Sequence, residues 1–199
     1  MTTHSVAEDE KHLLAVMSGG RFLRMEGLNN EVPFFIYPFD PRSANDVRAA
    51  TKRIVSNLQR KGIAVLEINL YELSLTILEE RGVLDRVLGI EPTQTKPEFR
   101  ELLQGMLDPE DHLAPAVQKR IDESPHDILF VTGVGEVFPY IRSHNVLNNL
   151  QSVSKEKPML MFFPGEYKQS DTLGSSLVLF GRLTDDQYYR ATNILEQEA

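Results

Sequence analysis

The stretch GIAVLEINL, residues 62–70, is apolar at most positions from Ile63 to Ile68. A strand with one wet face alternates polar and apolar residues. A nearly continuous apolar run suits a strand covered on both faces, as in a parallel sheet. The chain repeats the theme. VPFFIYPFDP holds a first strand, Pro33 to Tyr37, ended by Pro38 and Pro41. ILFVT (128–132) reads as the third strand, PMLMFF (158–163) as the fourth and SLVLFG (176–181) as a shorter fifth.

Helical spacing fills the gaps. A short helix is predicted at Asp9–Ser18, stopped by Gly19 and Gly20. In SANDVRAATKRIVSNLQRKG the apolar positions Val47, Ala50, Ile54 and Leu58 recur at helical intervals, with Gly62 at the stop. Asp40, or Ser43 three before Asp46, is placed to cap its first turn. Helices are also predicted after the third strand, with Pro139 in the first turn, and after the fifth, where Tyr188, Ala191 and Leu195 share a stripe. Strands alternating with helices imply a single α/β domain over residues 1–199. Its mainly parallel central sheet has about five strands, flanked by helices and joined by right-handed crossovers.

One connection is too long for a crossover, which needs about a dozen residues. Between the second and third strands, residues 71–125 carry helical segments near 71–81, 97–107 and 115–122, separated by GIEPTQTKP and DPED. They form a helical insertion, the kind of excursion that serves as an interaction surface or lid.

Composition narrows the chemistry. The absence of cysteine removes disulfides, thiolate nucleophiles and cysteine zinc sites, and fits a reducing cytoplasm, the expected location. No apolar run approaches 18 residues and no signal peptide is read at the N-terminus, so no membrane partner is expected. With 21 basic and 29 acidic residues the net charge is −8, which argues against broad nucleic-acid binding. Lys52, Arg53, Arg60 and Lys61 read as a solvated helix face.

In open α/β sheets ligands sit beyond the carboxyl ends of the strands. Collected there are Asp40, Asn69, Glu72, Thr132, Gly133, Gly135, Glu136, Gly165 and Glu166, an acidic rim with few cations. The strand–GVG–helix unit at 128–150 suggests a phosphate cradle. Yet Gly133 and Gly135 lack the third glycine of a dinucleotide fingerprint, and no P-loop string occurs in the sequence. The plainer reading gives these glycines a turn at positive φ, or close packing against the next helix. Arg142 is placed to reach an anion at the strand ends, and His144 falls on a partly apolar helix face that suits a core histidine. Asp40 and Glu166 suggest a divalent-metal pair, although no metal motif supports it. No catalytic residue, metal or cofactor is assigned. PGEYKQSDTLGSS, after the fourth strand, reads equally as a recognition loop or as a hairpin into the fifth.

Taken in order, VPFFIYPFDP, VLEINLYELSLTILEERG, VTGVGEVFPYIRSHNVLNNL, FFPGEY, LVLFGRL and DDQYYRA resemble the BrxB family over nearly the whole chain. Gly133, Gly135, Arg142, His144, Gly165, Glu166, Gly181, Arg182, Tyr188 and Tyr189 carry the resemblance. BrxB proteins are components of bacteriophage exclusion (BREX) systems, which block phage replication and mark host DNA by adenine methylation. The resemblance implies a cytoplasmic role beside a methyltransferase, a large ATPase and PglZ, a protein of the alkaline-phosphatase superfamily. PglZ is the partner it implies most directly, and it transfers no catalytic residue.

Two functions follow from this reading. One is a non-catalytic adaptor that binds a PglZ-type protein, with Arg182, Tyr188 and Tyr189 of residue types enriched at interface hot spots. The same tyrosines also suit packing of a last helix on the sheet. The alternative is a degenerate nucleotide- or metal-dependent enzyme using the crevice at Asp40, Gly133, Gly135, Arg142, His144 and Glu166.

Overall fold

The computed structural model describes residues 5–26, 33–150, 153, 156–170, 174–185 and 191–198. Strands β1 (Phe34–Phe39), β2 (Val65–Asn69), β3 (Ile128–Thr132), β4 (Met159–Ser170) and β7 (Thr192–Asn193) form the main path in the order β2-β3-β4-β1-β7. All four pairings along it are parallel. β5 (Gly174–Leu179) and β6 (Leu183–Asp185) add an antiparallel arm to the far half of β4.

Side-chain alternation divides the interior into two cores. Phe35 and Tyr37 of β1, Ile128 and Phe130 of β3, and Leu160 and Phe162 of β4 face one side. There they meet α1 (Val6–Ser18), α2 (Gly20–Leu23) and α3 (Ala44–Arg60). Phe34, Ile36, Leu129, Val131, Met159 and Met161 face the other side. That side is covered by α4 (Leu70–Glu80), α5 (Leu84–Ile90), α6 (Lys96–Met106), α7 (Ala114–Glu123) and α8 (Ser143–Leu150). Because both faces are buried, a one-residue slip would exchange the two cores, and register is strongly specified. The result is three layers, helix–sheet–helix.

The helix starts are written locally. Ser5 and Glu8 form a capping box on α1, and Thr95 and Glu98 form one on α6. The Asn69 side chain accepts from the amides of Tyr71 and Glu72 and so starts α4 directly from β2. Val47, Ala50, Ile54 and Leu58 are buried along α3, as their spacing predicts. Its approach is set by Asp40, which accepts from Arg42 N in a short 3₁₀ turn at Pro41–Ser43, while Ser43 makes no side-chain cap.

α3 carries the chain across one face from β1 to β2, past β4 and β3. The helices after β2 and β3 return it across the opposite face. All the predicted insertion helices are present, with α5 in addition. Among the described residues no helix is long and apolar enough to cross a membrane.

Several sequence expectations are corrected. β1 does not stop before Pro38 but continues to Phe39. Pro33 O accepts from Met159 N, so the odd residues of β1 aim their backbone groups at β4. The missing N–H of Pro38 therefore falls on the outer side, where β7 pairs only with Phe35 and Ile36. β2 packs on both faces, Val65 against the α3 side and Leu66 and Ile68 against the other, but less deeply than the inner strands. It ends the sheet, and only Ile68 within it is buried. The helix after β3 starts at Ser143, and Pro139 sits in the preceding turn after a cis Phe138–Pro139 bond. The polar stretch after strand four is the hairpin arm, since β4 runs on to Ser170 and pairs with β5. The last helix is replaced over 192–196 by β7 and a 3₁₀ turn, Ile194–Glu196, because the outer edge of β1 recruits Thr192 and Asn193. Tyr188 and Tyr189 lie outside the described residues.

Candidate functional site

A cleft of about 640 Å³ opens beyond the carboxyl ends of the parallel strands, where the fold predicts a site. β1 ends at it with Phe39, β2 with Asn69, β3 with Thr132 and the parallel part of β4 with Pro164. Glu72 and Tyr71 come from the start of α4, and Gly133, Gly135 and Glu136 from the turn after β3. Arg48 and Lys52, one turn apart on α3, supply the cations that the strand ends lack.

Several polar groups of the cleft are joined to one another. Arg48 pairs with Glu136 across 88 residues of chain. The Thr132 hydroxyl donates to Glu67 Oε1 at 3.0 Å, and Asn69 Oδ1 takes the α4 amides at 2.9 and 3.1 Å. Apolar groups protrude instead, with Tyr71 46% and Phe180 36% exposed.

Gly133 sits at φ +75°, and a Cβ there would stand 2.6 Å from Asn69 Oδ1. Only glycine lets the chain leave β3 without dislodging the cap of α4. A Cβ on Gly135 would meet Pro164 Cγ at 2.8 Å and Phe180 Cε1 at 3.0 Å. The glycine pair thus serves the turn at Gly133 and close packing at Gly135, against the hairpin arm rather than against the next helix. That helix, α8, begins only at Ser143, so the two glycines do not lead directly into its N-terminus.

Phe180, like Arg48 and Tyr71, is a lining residue that sequence reasoning missed. It shares the tight turn between β5 and β6 with Gly181, both at positive φ (56° and 67°), and Arg182 N donates to Leu179 O across the turn at 3.1 Å. That backbone suits a hairpin turn but is rare for a bulky residue. The Phe180 ring meets Phe138 edge-on, with centroids 6.2 Å apart, and covers Gly135. Gly165 completes the knot, because a Cβ there would run into the Val178 carbonyl oxygen. No local pattern announces a left-handed phenylalanine; the only sequence sign was the adjacent glycine.

The remaining predicted residues stand around this cleft rather than in it. Asp40 lies between the lining residues Phe39 and Pro41 and is held by Arg42, with Nη2 to Oδ2 at 2.5 Å. The Arg42 side chain, followed by its amide, pushes the Asp40 carboxyl down to about 2. Glu166, in the hairpin arm, pairs with Lys168 at 3.0 Å. The suggested Asp40–Glu166 metal pair therefore consists of two carboxylates each engaged by its own cation. Arg142 is exposed just before α8, where its carbonyl accepts from Val146 N, and His144 is half-buried in the first turn. Arg182 is exposed in the β5–β6 turn. Among the described residues no three His, Asp or Glu converge as a metal site.

The fold and cleft define a three-layer α/β protein with an open parallel sheet, a strand-end crevice and an antiparallel arm that extends it. Residues 66–194 match the family model described as BREX protein BrxB. The chain is 36% identical to the BREX protein BrxB of Bacillus cereus (strain H3081.97) over 187 residues, covering 93% of this chain and 95% of that protein. It is 29% identical over 175 residues to the BREX protein BrxB of Escherichia coli O9:H4 (strain HS), covering 88% and 84%. The chain belongs to the BrxB family of BREX proteins. No solved structure matches it.

Proposed function

We propose that this chain is a non-catalytic adaptor of the BREX phage-defence system and binds a PglZ-type protein of the alkaline-phosphatase superfamily. The observation that carries the reading is the exposure of Tyr71 and Phe180 at the cleft, beside polar groups of which Arg48 pairs with Glu136 and Thr132 with Glu67. Aromatic side chains with partly bared rings, beside an arginine, are what protein interfaces use as anchors. The test is sizing of an equimolar mixture with the PglZ-type protein at micromolar concentration. Co-elution is expected; two separate peaks would end the proposal.

A second reading, a small ligand held at the strand ends, is favoured by the cleft volume, which lies within the range of ligand pockets. Calorimetry with ATP or GTP and Mg²⁺ or Mn²⁺ tests it. The adaptor reading expects no heat.

A further inference from the structure

Among the described residues β2 has a strand neighbour on one side only. Ala64 O accepts from Ile128 N at 3.2 Å. In a parallel ladder the N–H and C=O of one residue point the same way, so Leu66 and Ile68 also aim at β3. Val65 and Glu67 then aim away from the sheet. Among the described residues nothing bonds the backbone N–H or C=O of either. Glu67 is exposed and Val65 half-buried, so the row is open to another chain.

Proteins usually guard such an edge with lysine, proline or a bulge. The run Val65-Leu66-Glu67-Ile68-Asn69 has none of these, and its sole charge is the central Glu67. That position decides between occupants. A second copy pairing antiparallel about the middle of β2 would set Glu67 opposite its own copy, and like charges directly opposed are destabilising. Glu67 takes a hydrogen bond from the Thr132 hydroxyl but has no cationic partner among the described residues. Its carboxylate therefore selects a basic side chain on the incoming strand.

We infer that the open edge of β2 receives an extended segment of a partner protein as an added strand, with a lysine or arginine of that segment opposite Glu67. The inference rests on the adaptor reading for its biological partner and on the edge itself for its chemistry.

The experiment has two arms, so that the two readings fail separately. In the first, the full chain is titrated with the peptide Thr-Val-Lys-Val-Thr, or with the same peptide carrying Glu for Lys, and backbone amides are followed by NMR. The Lys peptide is expected to shift the Val65 and Glu67 amides and to bind about tenfold more tightly than the Glu peptide, with Glu67→Lys reversing the preference. No shift at those amides, shifts confined to the cleft, or equal response to both peptides would overturn the inference.

In the second arm, amide exchange is measured with the PglZ-type protein. Val65 and Glu67 are expected to gain protection. Glu67→Pro removes an outward N–H and no ladder bond, and together with Glu67→Lys it is expected to weaken the complex about tenfold or more. A complex indifferent to both variants, with unprotected edge amides, overturns the edge inference and leaves the adaptor reading standing. Absence of any complex, with the Lys peptide still binding at the edge, removes the adaptor reading alone.

Discussion

Tyr37→Phe removes one oxygen atom from the middle of the protein. Tyr37 is 2% exposed, and its hydroxyl donates to Asp9 Oδ2 at 2.9 Å; Asp9, on α1, is itself 8% exposed. The ring contacts survive the change, because phenylalanine keeps the edge-on packing against Phe162 at 5.7 Å and the tilted contact with Phe39 at 5.9 Å. No cavity opens beyond the hydroxyl. What is lost is one hydrogen bond to a carboxylate, worth about 1.5–3 kcal/mol, and the carboxylate keeps its burial without its donor. For a chain of 199 residues that corresponds to a fall in Tm of about 4–9 °C.

The assay is a double-mutant cycle in urea with Tyr37→Phe, Asp9→Ala and the pair together. A coupling energy above about 1 kcal/mol is expected, since the two groups are in direct contact. Additive single changes, or a loss below about 0.5 kcal/mol for Tyr37→Phe, would refute the claim that this pair ties α1 to the sheet. The pair also predicts alkaline behaviour. Burial first, then the charge and hydrogen bond of Asp9, raise the Tyr37 phenol well above its ordinary value of 10.0. A group raised in the folded state stabilises the fold fully below its unfolded pKa. That contribution shrinks as pH climbs above about 10 toward the folded value. Wild type is expected to lose stability there, and Tyr37→Phe to lack that step.

Three further outcomes are expected. Gly133→Ala forces a side chain into a φ of +75° and against the α4 cap, and should lower stability by about 2 kcal/mol or more. Gly89→Ala in α5 and Gly105→Ala in α6 meet nothing within 4 Å and should each raise it by about 0.5–1 kcal/mol, all read as urea midpoints. In an NMR titration Asp40 should protonate near pH 2, and Arg42→Ala should return it toward 3.8. Because the folded value is the lower one, its contribution to stability is present above 3.8 and is lost as pH falls through about 2. Phe180→Gly relieves the left-handed strain while removing the exposed ring, so stability should change by less than about 1 kcal/mol, whereas affinity for the PglZ-type protein should fall about tenfold.

What could be read from the sequence follows the range of the forces involved. β3 matches its predicted span because five residues between Asp127 and Gly133 settle it locally. The edge position of β2 was not legible, because strand order depends on which connection crosses which face, and an apolar run looks the same in the centre or at the rim. The stripe Tyr188, Ala191, Leu195 has helical spacing, yet Thr192 and Asn193 pair with β1 and Asn193 caps the turn after them. There an open strand edge outweighed local periodicity. The place of the cleft was legible from the strand ends. Its cations were not, since Lys52 reads as part of a solvated helix face and nothing in the sequence singles out Arg48.

Three of the stretches that carry the family resemblance are brought together by the fold. Gly135 and Phe138 from VTGVGEVFPYIRSHNVLNNL, Pro164 and Gly165 from FFPGEY, and Phe180 and Gly181 from LVLFGRL come from three separate stretches. They meet in one knot where the hairpin arm crosses the turn after β3. Each glycine there makes room for a neighbour or permits a left-handed turn. Here Arg48, Glu136, Thr132, Glu67 and Asn69 are hydrogen-bonded within the cleft, while Lys52, Glu72 and the exposed Phe180 and Tyr71 rings also line it. Asn69 ends the β2 edge and also lines the cleft, so a segment paired along β2 would run alongside Tyr71 at the same rim. Backbone pairing sets the direction of such a segment, and the aromatic rim gives its side chains something to bury.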